Sequence, residues 1–527
     1  MIPVGPDASG RSFATVVLQQ LPDEVASARA IDVAEAFRDL PGLVLLESAR
    51  PGRNARWTYL SADPAAVLES PAAGPDPFAV ARRLVTRLAV RPPDAASQDI
   101  ASPDHALPDH ALPDHALPDN APLKRLETPP FLGGLVGFLG YDLGHALERL
   151  PAVTDDDQGL PPLRLALHDW VLAWDRRTGR AWLGGRALDG DRRRLARRLH
   201  DVRTRLARPW TLVARSADAS GGWTATDSGA ADPEAHHAAQ DRLLRFTSGR
   251  SRNEFEAGVD DVRSHIARGD IYQANLTRRL ETPFGDDPWP RYRRLRTGDS
   301  SLFSAYLDLG ASPETGAPRA LLSASPEPFL SVDPGGRVST DPIKGTRPRG
   351  RDQTDDRALA RELLGSAKDR AENVMIVDVL RNDLGRVCVP GSVRVPRLCR
   401  LERTAAVQHL VSTVTGQLAP GRDAFALLAA SFPGGSITGA PKIRAMEILE
   451  GLEPVRRGPY TGALGWFGPD GAMQTSIVIR TFVADGRRMT LHVGGGITWR
   501  SDPAAEWDET VAKARGPLGA IGGEEIG

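Results

Sequence analysis

Near the C-terminus, three charged side chains have the spacing of one helical face. Asp502 suits an N-cap and Pro503 a first turn, so Glu506, Glu509 and Lys513 fall at i, i+3 and i+7 on the same side. Two carboxylates one turn apart can share a divalent cation, and oxygen donors favour Mg2+ over softer metals. The plainer alternative is a surface pair of Glu509 with Lys513, which would add only about 0.2–0.5 kcal/mol to the helix. Glu372 favours the metal, because it opens an apolar stretch where an unpaired carboxylate is costly. A cation shared with Glu509 would remove that cost. Arg381 and Asp383, further along the same stretch, read as a structural ion pair.

Lys344 suggests a second kind of chemistry. Of 66 basic residues only Lys124, Lys344, Lys368, Lys442 and Lys513 are lysine; the rest are arginine. Codon bias explains such a count, but not the place of Lys344 in Asp341-Pro-Ile-Lys344-Gly-Thr-Arg-Pro-Arg-Gly350. Arginine supplies charge and a two-pronged donor but does not become a nucleophile, whereas lysine does when its pKa is depressed. The segments Gly434-Gly-Ser-Ile-Thr-Gly-Ala-Pro-Lys442 and Gly494-Gly-Gly496 offer backbone donors to anions, and neither matches a Walker A or dinucleotide loop. With Arg480 at a strand end and Lys513 nearby, these residues point to a small carboxylate-bearing substrate beside Mg2+.

These residues need a scaffold of mixed strands and helices. Residues 43–48, 271–280, 321–326, 337–340, 476–483 and 489–493 read as strands, the last pointing at the glycine triplet. Residues 253–269 have helical spacing. Residues 369–384 read as a helix, apolar nearly all round between Val374 and Leu380 and therefore buried, with Gly385 as its stop. The pattern implies an α/β or α+β sandwich. An N-terminal subdomain over 1–213, a linker over 214–240 rich in Ala, Ser, Gly, Asp and Thr, and a catalytic domain over 241–520 are expected. At 101–122 Ala-Leu-Pro-Asp-His repeats every five residues. Proline at that period forbids a helix that would bring His105, His110 and His115 together, so this is an extended insertion and no metal site.

At 527 residues, 41% apolar and 25% charged, with a net charge of −1, the composition is that of a soluble globular protein. Nothing in that balance invites nucleic acid or an anionic membrane, and no apolar run reaches bilayer length. Cys388 and Cys399 have no CxxC spacing and the first residues no signal-like pattern, so a reduced, cytoplasmic protein is expected.

From about residue 253 to 514 the chain resembles the chorismate-utilising enzymes. The likeness rests on Ser325-Pro-Glu327, Pro342-Ile-Lys-Gly-Thr346, Ala371-Glu-Asn-Val-Met-Ile-Val-Asp378, Gln408-His-Leu-Val-Ser-Thr-Val414, Ile479-Arg-Thr481 and the stretches 432–446 and 494–510. It implies a layered sandwich of mostly antiparallel sheets with outer helices. Lys344 stands where anthranilate synthases typically have alanine and aminodeoxychorismate synthases have lysine. Gln273 stands where isochorismate and salicylate synthases carry a water-activating lysine. The Gly434-Gly-Ser-Ile-Thr438 segment also resembles the aminodeoxychorismate branch.

What the resemblance implies is amination of chorismate at C4 to 4-amino-4-deoxychorismate. Glu327 would be the acid for the C4 hydroxyl, and Lys344 the nucleophile at C2. Glu372 and Glu509, with Glu506 close by, would hold Mg2+. Arg480 and Tyr460 would bind the enolpyruvyl carboxylate, assisted by the backbone of Gly494, Gly495 and Gly496. Lys513 would lie by the ring carboxylate, His409 against the ring, and Thr346 in the same pocket. Lys442 is more structural, and Lys368 and Asp369 belong to the helix. An ordinary lysine is neutral in under ~1% of molecules at pH 7, so Arg347 and Arg349 are expected to help by cationic repulsion. Arg500, Gln474 and Ser300-Ser-Leu-Phe-Ser-Ala-Tyr306 depart from the family pattern. No Gly-x-Cys-x-Gly segment is present, so ammonia is expected from a separate glutamine amidotransferase subunit. The N-terminal segment resembles an amino-acid pocket, for which tryptophan is the candidate ligand. The alternatives are an anthranilate synthase component I, and a non-catalytic chorismate-binding regulatory subunit. The product would feed folate or a specialised aromatic-amine pathway.

Overall fold

In the computed structural model, residues 16–48, 56–74, 76–89, 128–208, 242–298, 301–404 and 407–526 are described. The histidine repeat at 101–122 and the linker at 214–240 lie outside them. Two large sheets face one another, one thirteen-stranded and one ten-stranded, with helices on the outer faces. This is the layered α/β sandwich that the resemblance implies, with its main ladders antiparallel. A parallel pair joins Gly523–Glu525 to Leu244–Ser248.

Alternation along one strand feeds two cores at once. In Pro318–Ser325, Leu321 points into the space between the sheets, while Ala320, Leu322 and Ala324 point to the outer helices. Burial on both faces gives these strands continuous apolar runs. Between the sheets, Tyr59 packs edge-on to Phe131 at 5.5 Å and to Trp466 at 6.2 Å.

Both sheets draw strands from the two ends of the chain. In the larger one, Val44–Glu47 pairs with Phe303–Ala311; in the smaller, Gly134–Leu139 pairs with Ala463–Phe467. The segments 1–213 and 241–520 therefore share hydrogen-bonded sheets.

Four expectations need correction. Residues 476–483 are not one strand: Met473–Ile477 belongs to the smaller sheet and Thr481–Ala484 to the larger. The chain changes sheets at Val478, Ile479 and Arg480, and Arg480 makes the turn with a left-handed φ of 49°. The glycine triplet is no loop beyond a strand. It lies inside Arg488–Ile497, with Gly494, Gly495 and Gly496 opposite Thr277, Leu276 and Asn275. The helix Ala367–Gly385 is not buried all round. Ile376, Val377, Leu380 and Leu384 face the core, but Val374 is 39% exposed, no described element covering that flank. Arg381 and Asp383 do not pair, since residues two apart point to different sides of a helix. Arg381 instead bonds Asp378 at 2.9 Å, and Asp383 bonds Lys442 at 2.8 Å.

Candidate active site

The site is assembled from an edge strand of the smaller sheet, the link between the two sheets at Glu327, and the N-terminal parts of two helices. Lys344 lies on the edge strand Ile343–Pro348, opposite Leu410 of Val407–Gln417. Thr346 faces His409, so Gly345 is an extra residue in the ladder, a bulge with φ 80°. A Cβ at Gly345 would lie 2.9 Å from the Asp369 side chain, so only glycine lets strand and helix approach this closely. Thr346 Oγ1 and His409 Nδ1 hydrogen-bond at 2.9 Å. Burial and the nearby Arg480 guanidinium push His409 down to about 4, so its ring is neutral at pH 7.

Glu327 follows the strand Pro318–Ser325. Its backbone carbonyl accepts from Ile477 N at 3.0 Å and its own N–H donates to Ser325 Oγ at 3.3 Å. Burial raises its carboxyl above the usual range, and the Lys344 ammonium, the Ser436 hydroxyl and the Ile343 N–H draw it partly back. Ser436 was not singled out from the sequence. The glycine-rich turn that carries it closes on itself, Thr438 Oγ1 donating to Gly434 O at 2.9 Å, and delivers a donor to Glu327.

Ser366 caps the helix Ala367–Gly385 through its hydroxyl, which accepts from Asp369 N. Glu372 is on the second turn. Burial raises its carboxyl, opposed by Lys344 and Lys368 and reinforced by Asp369 and Glu506. Its Oε1 is buried without a hydrogen-bond partner, and Lys368 Nζ stands 3.9 Å away. Arg347 and Arg349 are not the free cations expected near Lys344. Arg347 bonds Glu362 at 2.7 Å and Asp369 at 3.2 Å, and Arg349 bonds Asp356 at 2.7 Å. The carboxylates that neutralise them lie in the helices following the strand, a tertiary fact invisible in the local sequence.

On the helix Pro503–Ile521, Asp502 caps the first turn and Glu506, Glu509 and Lys513 share a face. Glu506 Oε1 accepts from Ser501 Oγ at 2.6 Å; burial and the neighbouring Glu509 raise its carboxyl. Burial acts the same way on Glu509, but Lys513, Lys368 and Lys344 outweigh it and hold that carboxyl low. Lys513 Nζ lies 2.7 Å from Glu509 and donates to Gly494 O at 2.8 Å. Gly495 opens onto this face: a Cβ there would lie 3.0 Å from Glu506 Oε2 and 3.8 Å from Glu509 Oε1.

Lys344 thus stabilises the charge on Glu327, Glu372 and Glu509 together. Among the described residues no three His, Cys, Asp or Glu side chains form a ready-made metal nest. Two features nonetheless fit a hard divalent cation: the orphaned Glu372 Oε1, and the repulsion of Glu506 by Glu509 and of Glu372 by Glu506. Tyr460 is buried on another wall, stacked on His492 at 5.0 Å. Its loop is held by Arg457, which bonds Glu453, Thr461 Oγ1 and the carbonyls of Asn275 and Ile437. Arg457 and Glu453 also escaped the sequence reading. Their i, i+4 spacing was the only local signal. Gln273 is fully buried, its amide pressed against Gly496, and neither amide atom has a partner.

A lysine on an edge strand and carboxylates on two helices are thus brought together beside Glu327. Residues 81–519 match the chorismate binding enzyme family, and the chain belongs to it. Anthranilate synthase component 1 of Streptomyces coelicolor is 41% identical over 393 residues, covering 75% of this chain and 73% of that protein. Aminodeoxychorismate synthase component 1 of Klebsiella aerogenes is 40% identical over 384 residues, covering 73% and 76%. Overall identity therefore does not choose between the two activities. The crystal structure of anthranilate synthase component I from Streptococcus pneumoniae superposes with a TM-score of 0.68 at 27% identity, covering 89% of this chain and 93% of that one. Among the described residues no helix is long and apolar enough to cross a membrane.

Proposed function

We propose that this chain aminates chorismate at C4, giving 4-amino-4-deoxychorismate through a covalent intermediate on Lys344. The observation that carries the reading is the placement of Lys344 beside Glu327, at the edge of the carboxylate cluster. Glu327, whose carboxyl burial raises above the usual range, donates to the departing C4 hydroxyl, which leaves as water. The Lys344 amine bonds to C2 as the C4–O bond breaks and the ring double bond shifts. Ammonia then adds at C4, the C2–N bond breaks, and the Lys344 amine is released. Arg480 and Tyr460 bind the enolpyruvyl carboxylate, with the Gly494, Gly495 and Gly496 backbone alongside. Lys513 and neutral His409 flank the ring, with Thr346 holding the His409 imidazole. Bound Mg2+ would supply Lewis-acid charge towards the ring carboxylate, with Glu372, Glu506 and Glu509 as its holders. The relatives named component 1 support a separate glutamine amidotransferase as the source of ammonia.

The second reading is anthranilate synthesis, favoured by the relative at 41% identity. Mass spectrometry of the products from chorismate, Mg2+ and ammonium decides between them. An aminated product that keeps its enolpyruvyl group, lost in Lys344→Ala together with any lysine adduct, is the expected result. Anthranilate and pyruvate would overturn it, and binding of chorismate without turnover would indicate a regulatory subunit.

A further inference from the structure

The strands Gly134–Leu139 and Ala463–Phe467 pair with Leu139 opposite Ala463. The residues that follow the first strand therefore run beside those that precede the second. This brings 140–142, from the N-terminal half, against the turn that carries Tyr460. That turn closes on itself, Tyr460 N donating to Arg457 O at 3.2 Å.

The contact is specific. Gly458 is bonded through both of its backbone groups: its carbonyl accepts from Tyr141 N at 2.8 Å, and its N–H donates to Asp142 Oδ2 at 2.8 Å. The Arg457 guanidinium lies 4.4 Å over the Tyr141 ring, and both side chains are buried. A Cβ at Gly140 would stand 2.9 Å from Gly458 O, and one at Gly458, whose φ is 58°, would stand 2.5 Å from Gln158 Oε1. Just upstream, Arg456 N donates to Asp155 O at 3.0 Å. Burial raises the Asp142 carboxyl to about 7, against the pull of the Gly458 N–H and Arg456, and Glu450 and Asp156 add to the rise. His145, 3.7 Å from Glu450, is held below its ordinary value by burial and is neutral above about pH 6.5. A hydrogen bond to an ionised carboxylate is roughly twice as strong as one between neutral groups.

We propose that Asp142 is a positioning residue for the substrate site: its carboxylate latches the turn at Gly458 N–H and so sets Tyr460 against the substrate. The proposal rests on the reading of Tyr460 as a binder of the enolpyruvyl carboxylate, and holds whichever product is made. Ionised Asp142 holds the turn and protonated Asp142 loosens it, so affinity is highest above about pH 7 and falls as pH drops through that value.

The test is calorimetric titration of chorismate without ammonium between about pH 6.5 and 8.5, on wild type, Asp142→Asn and Arg456→Gln. Amide hydrogen exchange over 456–462 is measured on the same proteins. Wild-type affinity is expected to fall about three- to ten-fold down that range. Asp142→Asn should bind weakly throughout with a smaller slope, and exchange faster over 456–462. Arg456→Gln should shift the fall to higher pH, since it removes the cation that holds Asp142 down. In chorismate consumption Asp142→Asn should raise KM and leave kcat within about two-fold, which a general loss of structure would not do. Equal slopes in wild type and Asp142→Asn, or unchanged exchange, would overturn the latch. Unchanged chorismate affinity in Tyr460→Phe would instead sink the reading of Tyr460, and the exchange measurement would still judge the latch.

Discussion

Glu327 and Glu372 are both buried carboxylates raised above their ordinary range, yet they suit different work. Glu327 has a lysine, a hydroxyl and a backbone N–H turned towards it, so a shared proton satisfies it and it can act as an acid. Glu372 keeps an oxygen with no hydrogen-bond partner and only Lys368, 3.9 Å away, as a counter-charge. Replacing Glu327 by Gln preserves shape and removes the proton. Chorismate consumption is then expected to fall about 10²–10⁴-fold, the usual range for a lost general acid. Calorimetric titration with chorismate should show affinity nearly unchanged; a variant that turns over normally would remove Glu327 from the mechanism. The residue types proposed for this chemistry were legible because they sit in short distinctive strings. Ser436, Arg457 and Glu453 were not, because their partners are distant in sequence or their spacing is common in any helix.

At the scale of elements, a few local devices aim those side chains. The bulge at Gly345 resets the edge strand so that Lys344 and Thr346 meet successive residues of Val407–Gln417. Arg480 uses its left-handed turn to carry the chain from one sheet to the other. Arg457 ties the segment after the helix Lys442–Leu452 to Gln273–Pro283 through the Asn275 carbonyl, and Glu453 does so through Thr277 N at 3.0 Å. Both side chains are buried, so removing one leaves the other charge uncompensated. Arg457→Met is expected to destabilise the fold by about 3–5 kcal/mol. Denaturant unfolding measures this, and a loss below about 1 kcal/mol would show the pair to be dispensable. Strand and helix positions were mostly readable from periodicity. The sheet change at Arg480 was not, because two short strands in line have the same pattern as one long one.

At the scale of the whole molecule, shared sheets make burial collective, and burial fixes how the protein responds to acid. His168 is wholly buried, with Nδ1 hydrogen-bonded to Ser61 Oγ at 2.9 Å and Nε2 unpartnered. Burial, with Arg198 and Arg164 nearby, pushes its ring down to about 3. His492 is depressed in the same way and His409 lies at about 4. An unfolded chain would protonate these rings near the ordinary value of about 6.5. Between that value and the depressed ones the unfolded state binds more protons, so stability rises with pH there. It is present in full above about 6.5 and is lost as pH falls towards the folded values. The thermal midpoint of the wild type is expected to drop between about pH 6.5 and 4, and that of His168→Gln to drop less. Equal slopes would show that His168 is not a source of the acid sensitivity.

The sequence by itself determined the family and the sandwich architecture, because periodicity and short motifs are local and survive without a partner. It determined the helical face of Glu506, Glu509 and Lys513 for the same reason. Only the tertiary structure decided that Arg347 and Arg349 are neutralised and that the glycine triplet is a strand opening onto the carboxylates. It alone decided that, among the described residues, one flank of the Glu372 helix is exposed beside Tyr272. These facts depend on which distant element arrives next to a residue. Pairing, desolvation and exposure are properties of that neighbourhood and not of the string that enters it.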